Sequence, residues 1–85
     1  MVRAKGKSME PKIHEGDLII ARKATEFVNN KVYVCINDGE CLIKQVRLNA
    51  DSVFLVSFNP AFPPMLSAKD FRVEGEVKNI ISGKI

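Results

Sequence analysis

Turn-forming residues recur along this chain every 8 to 12 residues, and the apolar stretches between them are no longer than a strand. Short strands with turns at this spacing are typical of a compact, strongly curved sheet or partial barrel. The predicted strands cover residues 18–23, 31–37, 40–48, 52–58 and 71–82, after a short opening strand at 3–5. Only residues 24–29 and 66–70 leave room for a helical turn. Because 85 residues suffice for one core, we expect a single, mainly β domain over residues 1–85 with little helix.

Proline and glycine mark two places where this sheet must be irregular. Pro60, Pro63 and Pro64 follow the predicted strand at 52–58. A proline has no backbone N–H to donate, so this segment cannot join the interior of a sheet. Gly75 lies inside the last predicted strand, where an isolated glycine indicates a bulge or a sharp bend.

The two cysteines lie on either side of a predicted hairpin turn. If Asp38 and Gly39 form a two-residue loop, Cys35 pairs with Leu42. The thiols of Cys35 and Cys41 then point to opposite faces of the hairpin, which excludes a disulfide between them. We therefore expect two buried, free thiols.

Charge and hydropathy disfavour several classes of protein. The formal net charge is +3, and the 13 Lys and Arg residues form no run. A nucleic-acid-binding domain usually concentrates basic residues on one helix or stripe, and no helix-turn-helix pattern is present, so direct DNA contact is not favoured. No apolar run is long enough to span a bilayer, and the basic N-terminus lacks the apolar stretch of a signal peptide. We expect a cytoplasmic protein without membrane association, cofactor or metal.

The stretch GKS at residues 6–8 looks like the end of a nucleotide-binding P-loop, but its surroundings do not fit one. The P-loop pattern requires a glycine five positions before Gly6, where this chain has Met1. Pro11 also interrupts the helix that would have to follow. The alternative is that Ser8 is a nucleophile on a tight turn, and a serine hydroxyl needs a nearby base to react at neutral pH.

Two side chains are candidates for that base. His14 is the only histidine, and its place just before a Gly-Asp turn indicates a solvated surface residue. Lys44 lies on a face of the strand at 40–48 that is otherwise apolar, formed by Leu42, Val46 and Leu48. Burial would lower the pKa of the Lys44 amine and so raise the fraction of the neutral base. The alternation leaves two interpretations open: a desolvated base, or an amine that reaches solvent or a carboxylate.

Four segments of the chain resemble the LexA-like serine peptidases, in the order typical of that family. GKSMEPKIHEGDLIIARK (6–23) resembles its nucleophile segment, and ECLIKQV (40–46) resembles its lysine strand. LVSFNPAFPPM (55–65) is similar to its Asn-Pro segment, and VEGEV (73–77) to its closing strand. The family includes the C-terminal domains of LexA and phage repressors, the UmuD proteins and, more distantly, signal peptidases. The resemblance implies a LexA/signal-peptidase-like partial barrel.

The resemblance also implies a role for individual residues. Ser8 would be the nucleophile and Lys44 the general base, while the backbone N–H groups of Lys7 and Ser8 would form the oxyanion hole. The supporting residues of the motif would be Gly6, Met9, Pro11, Gly16 and Asp17.

Three positions depart from the family's usual residues. Lys7 stands where an acidic or amide residue is more usual, and its charge would depress the pKa of Lys44 further if it pointed inward. Phe62 replaces a common tyrosine, and Gln45 stands where arginine is common after the lysine.

The resemblance supports three hypotheses about function. The first is a self-cleaving Ser-Lys peptidase domain of a phage or bacterial transcriptional repressor, with cleavage induced by a RecA filament. The second is a repressor dimerisation module with an idle dyad, pairing as a homodimer through residues 71–81. The third is a UmuD-like polymerase subunit. No glycine of this chain follows an alanine or a cysteine, the bonds usually cleaved in the family. The simplest expectation is that the cleavable linker, and the N-terminal helix-turn-helix domain that binds DNA, lie outside these 85 residues. The alternative is a catalytic module that acts without a cleavable arm.

Overall fold

The computed structural model describes residues 2–83, which form a single curled antiparallel sheet. Its seven strands follow one another in the spatial order β1-β2-β7-β3-β4-β5-β6. The strands are β1 (Val2–Arg3), β2 (Leu18–Lys23), β3 (Lys31–Asn37), β4 (Glu40–Asn49), β5 (Ser52–Val56), β6 (Met65–Leu66) and β7 (Arg72–Ile81). The predicted mainly β, strongly curved partial barrel is confirmed. Within residues 2–83 there is no helix of the length and hydropathy needed to cross a membrane.

The predicted strand boundaries agree with this sheet where local patterning is strong. Strands β2 and β3 have the predicted limits, β4 ends one residue later than predicted, and β7 is one residue shorter than predicted at each end. Strand β1 begins and ends earlier than predicted, and β5 ends at Val56 rather than at residue 58. Strand β6 is absent from the predicted strands, because two residues after a proline-rich segment show no alternation. Residues 24–29 and 66–70 form turns and extended chain instead of the helical turns for which they had room.

The β3–β4 hairpin has the predicted two-residue loop. Asp38 and Gly39 both have positive φ angles, 52° and 77°, and Cys35 pairs with Leu42. A two-residue turn in which both residues have positive φ matches the right-handed twist of the flanking strands. Both thiols are free, as predicted, but only Cys35 is buried. The expectation was wrong for Cys41, because its side of the hairpin borders an open cleft.

Apolar side chains from both faces of the sheet form two clusters. One cluster consists of Ala4, Met9, Ile13, Ile19 and Val34. The other consists of Tyr33, Cys35, Val46, Leu55 and Val73. Successive residues of β3 alternate between the clusters, so this strand is covered on both sides. Leu48 was predicted on the apolar face of β4 but is 47% exposed, because the end of the β4–β5 hairpin extends beyond the core.

Strand β7 contains the irregularity predicted at Gly75. Val34 pairs with Gly75 while Cys35 pairs with Val73, so Glu74 is an extra residue on β7. A Cβ atom at Gly75 would lie 3.0 Å from the Cβ atom of Ala21 on β2. The bulge lets β7 bend, and the missing side chain lets β2 approach it closely.

Candidate active site

The connection between β1 and β2 is a closed loop that presents Ser8. The loop is closed at its base, where Ala4 N–H donates to the Asp17 carbonyl and Gly16 N–H to the Ala4 carbonyl, each at 2.9 Å. Within the loop, the N–H of Ile13 donates to the carbonyl of Met9 at 3.0 Å and completes one turn. The side chains of Met9 and Ile13 are buried in the first apolar cluster. These two anchors hold the segment that carries Ser8 against the sheet.

The residues predicted to support Ser8 lie within this loop and at its end. Gly6 and Gly16 have φ angles of 74° and 91°, which side chains with a Cβ atom rarely adopt. The buried Asp17 carboxylate accepts hydrogen bonds from the N–H of His14 at 2.9 Å and of Gly83 at 3.1 Å. The His14 side chain is 53% exposed, as expected for a surface residue. Pro11 lies exposed within the turn of the loop.

The central feature of the site is the contact between Lys44 and Ser8. The Lys44 amine Nζ lies 2.7 Å from Ser8 Oγ. The same amine lies 2.9 Å from the Oγ of Ser57, a residue that the sequence analysis did not assign to the site. Lys44 is 7% exposed, although it is a lysine on a strand near the edge of a sheet. The structure therefore brings one buried amine within hydrogen-bond distance of two hydroxyl groups.

Burial alters the protonation of this amine. Loss of hydration lowers the pKa of Lys44 from its ordinary value, and the nearby Cys35 opposes this shift to a smaller extent. Among residues 2–83, no carboxylate forms an ion pair with Lys44. Of the two interpretations left open by the sequence, the structure shows the desolvated amine.

The peptide groups on either side of Ser8 are held by Asn59. The side-chain amide of Asn59 donates to the Lys7 carbonyl at 3.0 Å, and its backbone N–H donates to the Ser8 carbonyl at 2.9 Å. By contrast, the N–H groups of Lys7 and Ser8 donate to no acceptor within the described part of the chain. These are the two donors that the resemblance assigns to an oxyanion hole.

Comparison with protein families identifies the group to which the chain belongs. The family model described as Peptidase S24-like matches residues 1–78. The chain belongs to this family. Its relatives include LexA repressor 1 of Xanthomonas campestris pv. campestris, 35% identical over 78 residues that make up 88% of this chain and 39% of the relative. The LexA repressor of Citrifermentans bemidjiense is 34% identical over 85 residues, which are 99% of this chain and 40% of the relative. The S24-like chain thus spans about two fifths of the length of these relatives.

Of the three departures from the usual S24-like pattern, Lys7 and Phe62 are exposed and Gln45 is half-buried. Lys7 is exposed, and the shift in the Lys44 pKa arises from burial rather than from the charge of Lys7. Phe62 is 43% exposed, so the aromatic ring there is not part of the core. The Gln45 side chain donates to the Asn30 carbonyl at 2.8 Å.

A cleft lies beside Ser8 and Lys44. Its volume is about 400 Å³, and its walls are the segment from Val2 to Met9 and the outer edge of β4. Strand β5 pairs with β4 only from Gln45 onward, so residues 40–44 have no strand partner on that edge within residues 2–83. Ser8 and Lys44 both line the cleft, together with apolar side chains such as Leu42. The backbone groups of residues 40–44 on this edge would therefore be able to hydrogen-bond to a peptide bound next to Ser8 and Lys44.

Ser57 is not among the predicted site residues, although it lies in the segment at 55–65 that resembles the family's Asn-Pro segment. Gln45 pairs with Val56, so the register of β4 and β5 brings the next residues, Lys44 and Ser57, opposite each other. The contact between Ser57 and Lys44 therefore cannot be predicted from the sequence without the pairing register of β4 and β5.

Proposed function

We propose that this chain is the serine peptidase domain of a transcriptional repressor, with Ser8 as nucleophile and Lys44 as general base. The proposal rests on one observation, the 2.7 Å contact between a buried amine and a serine hydroxyl. The lowered pKa of Lys44 supports it, because a base must be unprotonated before it can accept a proton.

The proposed reaction has two stages. Neutral Lys44 takes the proton of the Ser8 hydroxyl, and the oxygen attacks a peptide carbonyl carbon. The resulting oxyanion accepts hydrogen bonds from the N–H groups of Lys7 and Ser8, where one such donor typically contributes about 3 kcal/mol. Lys44 then gives its proton to the leaving amine as the C–N bond breaks. Water, deprotonated by Lys44, hydrolyses the acyl ester and restores the Ser8 hydroxyl.

We further propose that the substrate is a bond in the protein's own polypeptide. The relatives are named LexA repressors, and this chain spans about two fifths of their length. In this proposal DNA is bound by a separate domain, cleavage separates that domain from the one described above, and a RecA filament is the candidate inducer. A repressor acts on DNA, so the proposal places the protein in the cytoplasm.

Labelling with a fluorophosphonate tests the dyad without knowledge of the substrate. The reagent forms a bond to an activated serine oxygen, and mass spectrometry identifies the labelled peptide. We expect labelling at Ser8 that increases with pH and is abolished in Ser8→Ala and in Lys44→Ala. The matched controls are Ser52→Ala and Lys69→Ala, which change exposed residues of the same types. Labelling of Lys44→Ala at the wild-type rate would rule out the proposed base.

Self-cleavage is tested on the complete gene product. The protein is incubated at pH 7 and pH 9.5, and its fragments are identified by mass spectrometry. We expect more cleavage at the higher pH, where more Lys44 is neutral, and none in the two dyad variants. A fragment that forms in Ser8→Ala at the wild-type rate would contradict the proposal.

The exposed end of β7 supports a second candidate function, the pairing of repressor subunits. Ile80 and Ile81 are 37% and 48% exposed at the end of the strand. Two copies of an exposed strand end can bury each other's apolar side chains across a two-fold axis. Sedimentation of the wild type and of Ile80→Asp tests this, with Val28→Asp as the control at another exposed apolar residue. We expect a dimer that only Ile80→Asp dissociates, and a wild type that sediments as a monomer would exclude pairing.

A further inference from the structure

The short segment after β5 contacts both halves of the dyad. Ser57 Oγ accepts a hydrogen bond from the Lys44 amine at 2.9 Å. Two residues later, Asn59 donates to the carbonyls of Lys7 and Ser8 at 3.0 and 2.9 Å. The segment at 57–59 therefore links the strand that carries the amine to the loop that carries the hydroxyl.

The contact with Ser57 matters because of the geometry of an amine. An ammonium group has three N–H donors, whereas a neutral amine has two N–H donors and one lone pair. The lone pair of Lys44 must face Ser8 Oγ to accept its proton. Rotation about the Cε–Nζ bond would turn the lone pair elsewhere. Ser57 Oγ can accept one N–H in either protonation state and so restrict that rotation.

The contact with Asn59 matters because the peptide bond is planar. The carbonyl of Lys7 and the N–H of Ser8 belong to one trans peptide group and point in opposite directions. Since Asn59 holds the Lys7 carbonyl, the Ser8 N–H must point away from Asn59. The Asn59 side-chain oxygen in turn accepts the N–H of Ala61 at 3.0 Å, which fixes the orientation of its amide.

We propose that Ser57 and Asn59 are positioning residues of this site. Ser57 directs the lone pair of Lys44 towards Ser8, and Asn59 orients the Ser8 N–H towards the developing oxyanion. This inference rests on the proposed peptidase function. It assigns roles to two side chains that do not themselves exchange protons with the substrate.

Ser57→Ala tests the first role with two measurements. The rate of fluorophosphonate labelling is followed from pH 6 to pH 11, and the titration of the Lys44 amine is followed by NMR of labelled lysine. We expect the plateau rate to fall about 10- to 100-fold, as a misdirected reacting group would cause. We also expect the titration midpoint of Lys44 to move to lower pH, because the ammonium form loses an acceptor. Ser57→Thr retains the hydroxyl and should restore both values, while Ser52→Ala should change neither.

The NMR titration separates this inference from the proposed function, because it needs no activity. If Ser57→Ala leaves the Lys44 midpoint unchanged, the role of Ser57 is overturned, whatever happens to the plateau rate. If Ser8→Ala is still labelled at the wild-type rate, the peptidase proposal fails instead. Should Ser57→Ala not fold, Ser57→Cys replaces it, since a thiol is similar in shape and a weaker acceptor.

Asn59→Leu tests the second role. Leucine is close to asparagine in size but has no donor for the Lys7 carbonyl. We expect a plateau rate about 10-fold lower, as for a weakened oxyanion donor, with the titration midpoint of Lys44 unchanged. An unchanged plateau rate, or a shifted midpoint, would overturn the role of Asn59.

Discussion

Lys44 and Ser8 are 36 residues apart in sequence, and their side chains meet at 2.7 Å in a site where the lysine is almost completely buried. Strand β4 supplies the amine, and the loop before β2 supplies the hydroxyl. The two elements are not adjacent in the sheet, since β3 and β7 lie between β2 and β4. The curl of the sheet therefore brings the loop over the outer edge of β4.

Lys44→Met should stabilise the protein, and the gain should shrink as pH rises. The pKa of Lys44 is lower in the folded chain than its ordinary value of 10.5. Between the lowered value and 10.5, the unfolded chain binds more protons than the folded one, so wild-type stability increases with pH. Methionine does not titrate and avoids burial of an ammonium group. We expect a gain on the order of 1 kcal/mol at pH 6 in urea unfolding.

The control for that experiment is Lys69→Met at an exposed position, which should show no such trend. A variant at position 44 that is less stable than the wild type at every pH would mean that the contacts with Ser8 and Ser57 outweigh the cost of burial.

The two cysteines should differ sharply in reactivity. The pKa of Cys35 is raised to about 11, mainly by burial and to a smaller extent by the neighbouring Cys41, while Lys44 opposes the shift. Cys41 is exposed, and the thiolate is the reactive form of a cysteine. At pH 8 a small disulfide reagent should modify one thiol of the folded protein and two in urea. The folded Cys41→Ser variant should not react. Rapid modification of Cys35 in that variant would contradict the burial of its thiol.

Leu55→Ala should destabilise the fold far more than Leu66→Ala. Leu55 is 0% exposed at the centre of the second apolar cluster, whereas Leu66, on the adjacent strand β6, is 61% exposed. Truncation of a buried leucine typically costs about 2–5 kcal/mol, and an exposed substitution costs less than about 0.5 kcal/mol. Urea unfolding of both variants measures the difference. Equal losses would mean that β6 is covered in solution.

The Asp70 carboxylate should stabilise the β3–β4 hairpin, and this stabilisation should be lost when acid protonates the carboxylate. Its carboxylate accepts the N–H groups of Asp38 at 2.6 Å and Gly39 at 2.8 Å, and these bonds lower the pKa of Asp70 from 3.8. Since the folded pKa is depressed, the stabilisation is present above pH 3.8 and is lost as pH falls through the lower value. Asp70→Asn should therefore lower Tm at pH 7, and this loss should shrink as pH falls below 3.8.

Amide hydrogen exchange at Asp38 and Gly39 provides the local measurement for Asp70→Asn. Both amides should exchange faster in the variant at pH 7. Asp51→Asn at the exposed β4–β5 turn is the control. Unchanged exchange would show that the turn holds its shape without the carboxylate.

The sequence by itself determined the β architecture and the register of the central hairpin. Strand lengths follow from the alternation and the turn residues, and the positive φ angles of Asp38 and Gly39 follow from their chemistry. Family resemblance also paired Ser8 with Lys44. These features are encoded within a few residues or in recognisable segments.

Only the tertiary structure decided which side chains of the sheet are buried and which groups surround the Lys44 amine. Strand β6, the exposure of Cys41 and Leu48, and the contact of Ser57 with Lys44 depend on where β5 ends and how far the sheet curls. Local sequence sets backbone preferences, but burial and hydrogen-bond partners are set by residues far along the chain. The pKa of Lys44 depends on that burial, so its chemistry belongs to the folded sheet rather than to strand β4 alone.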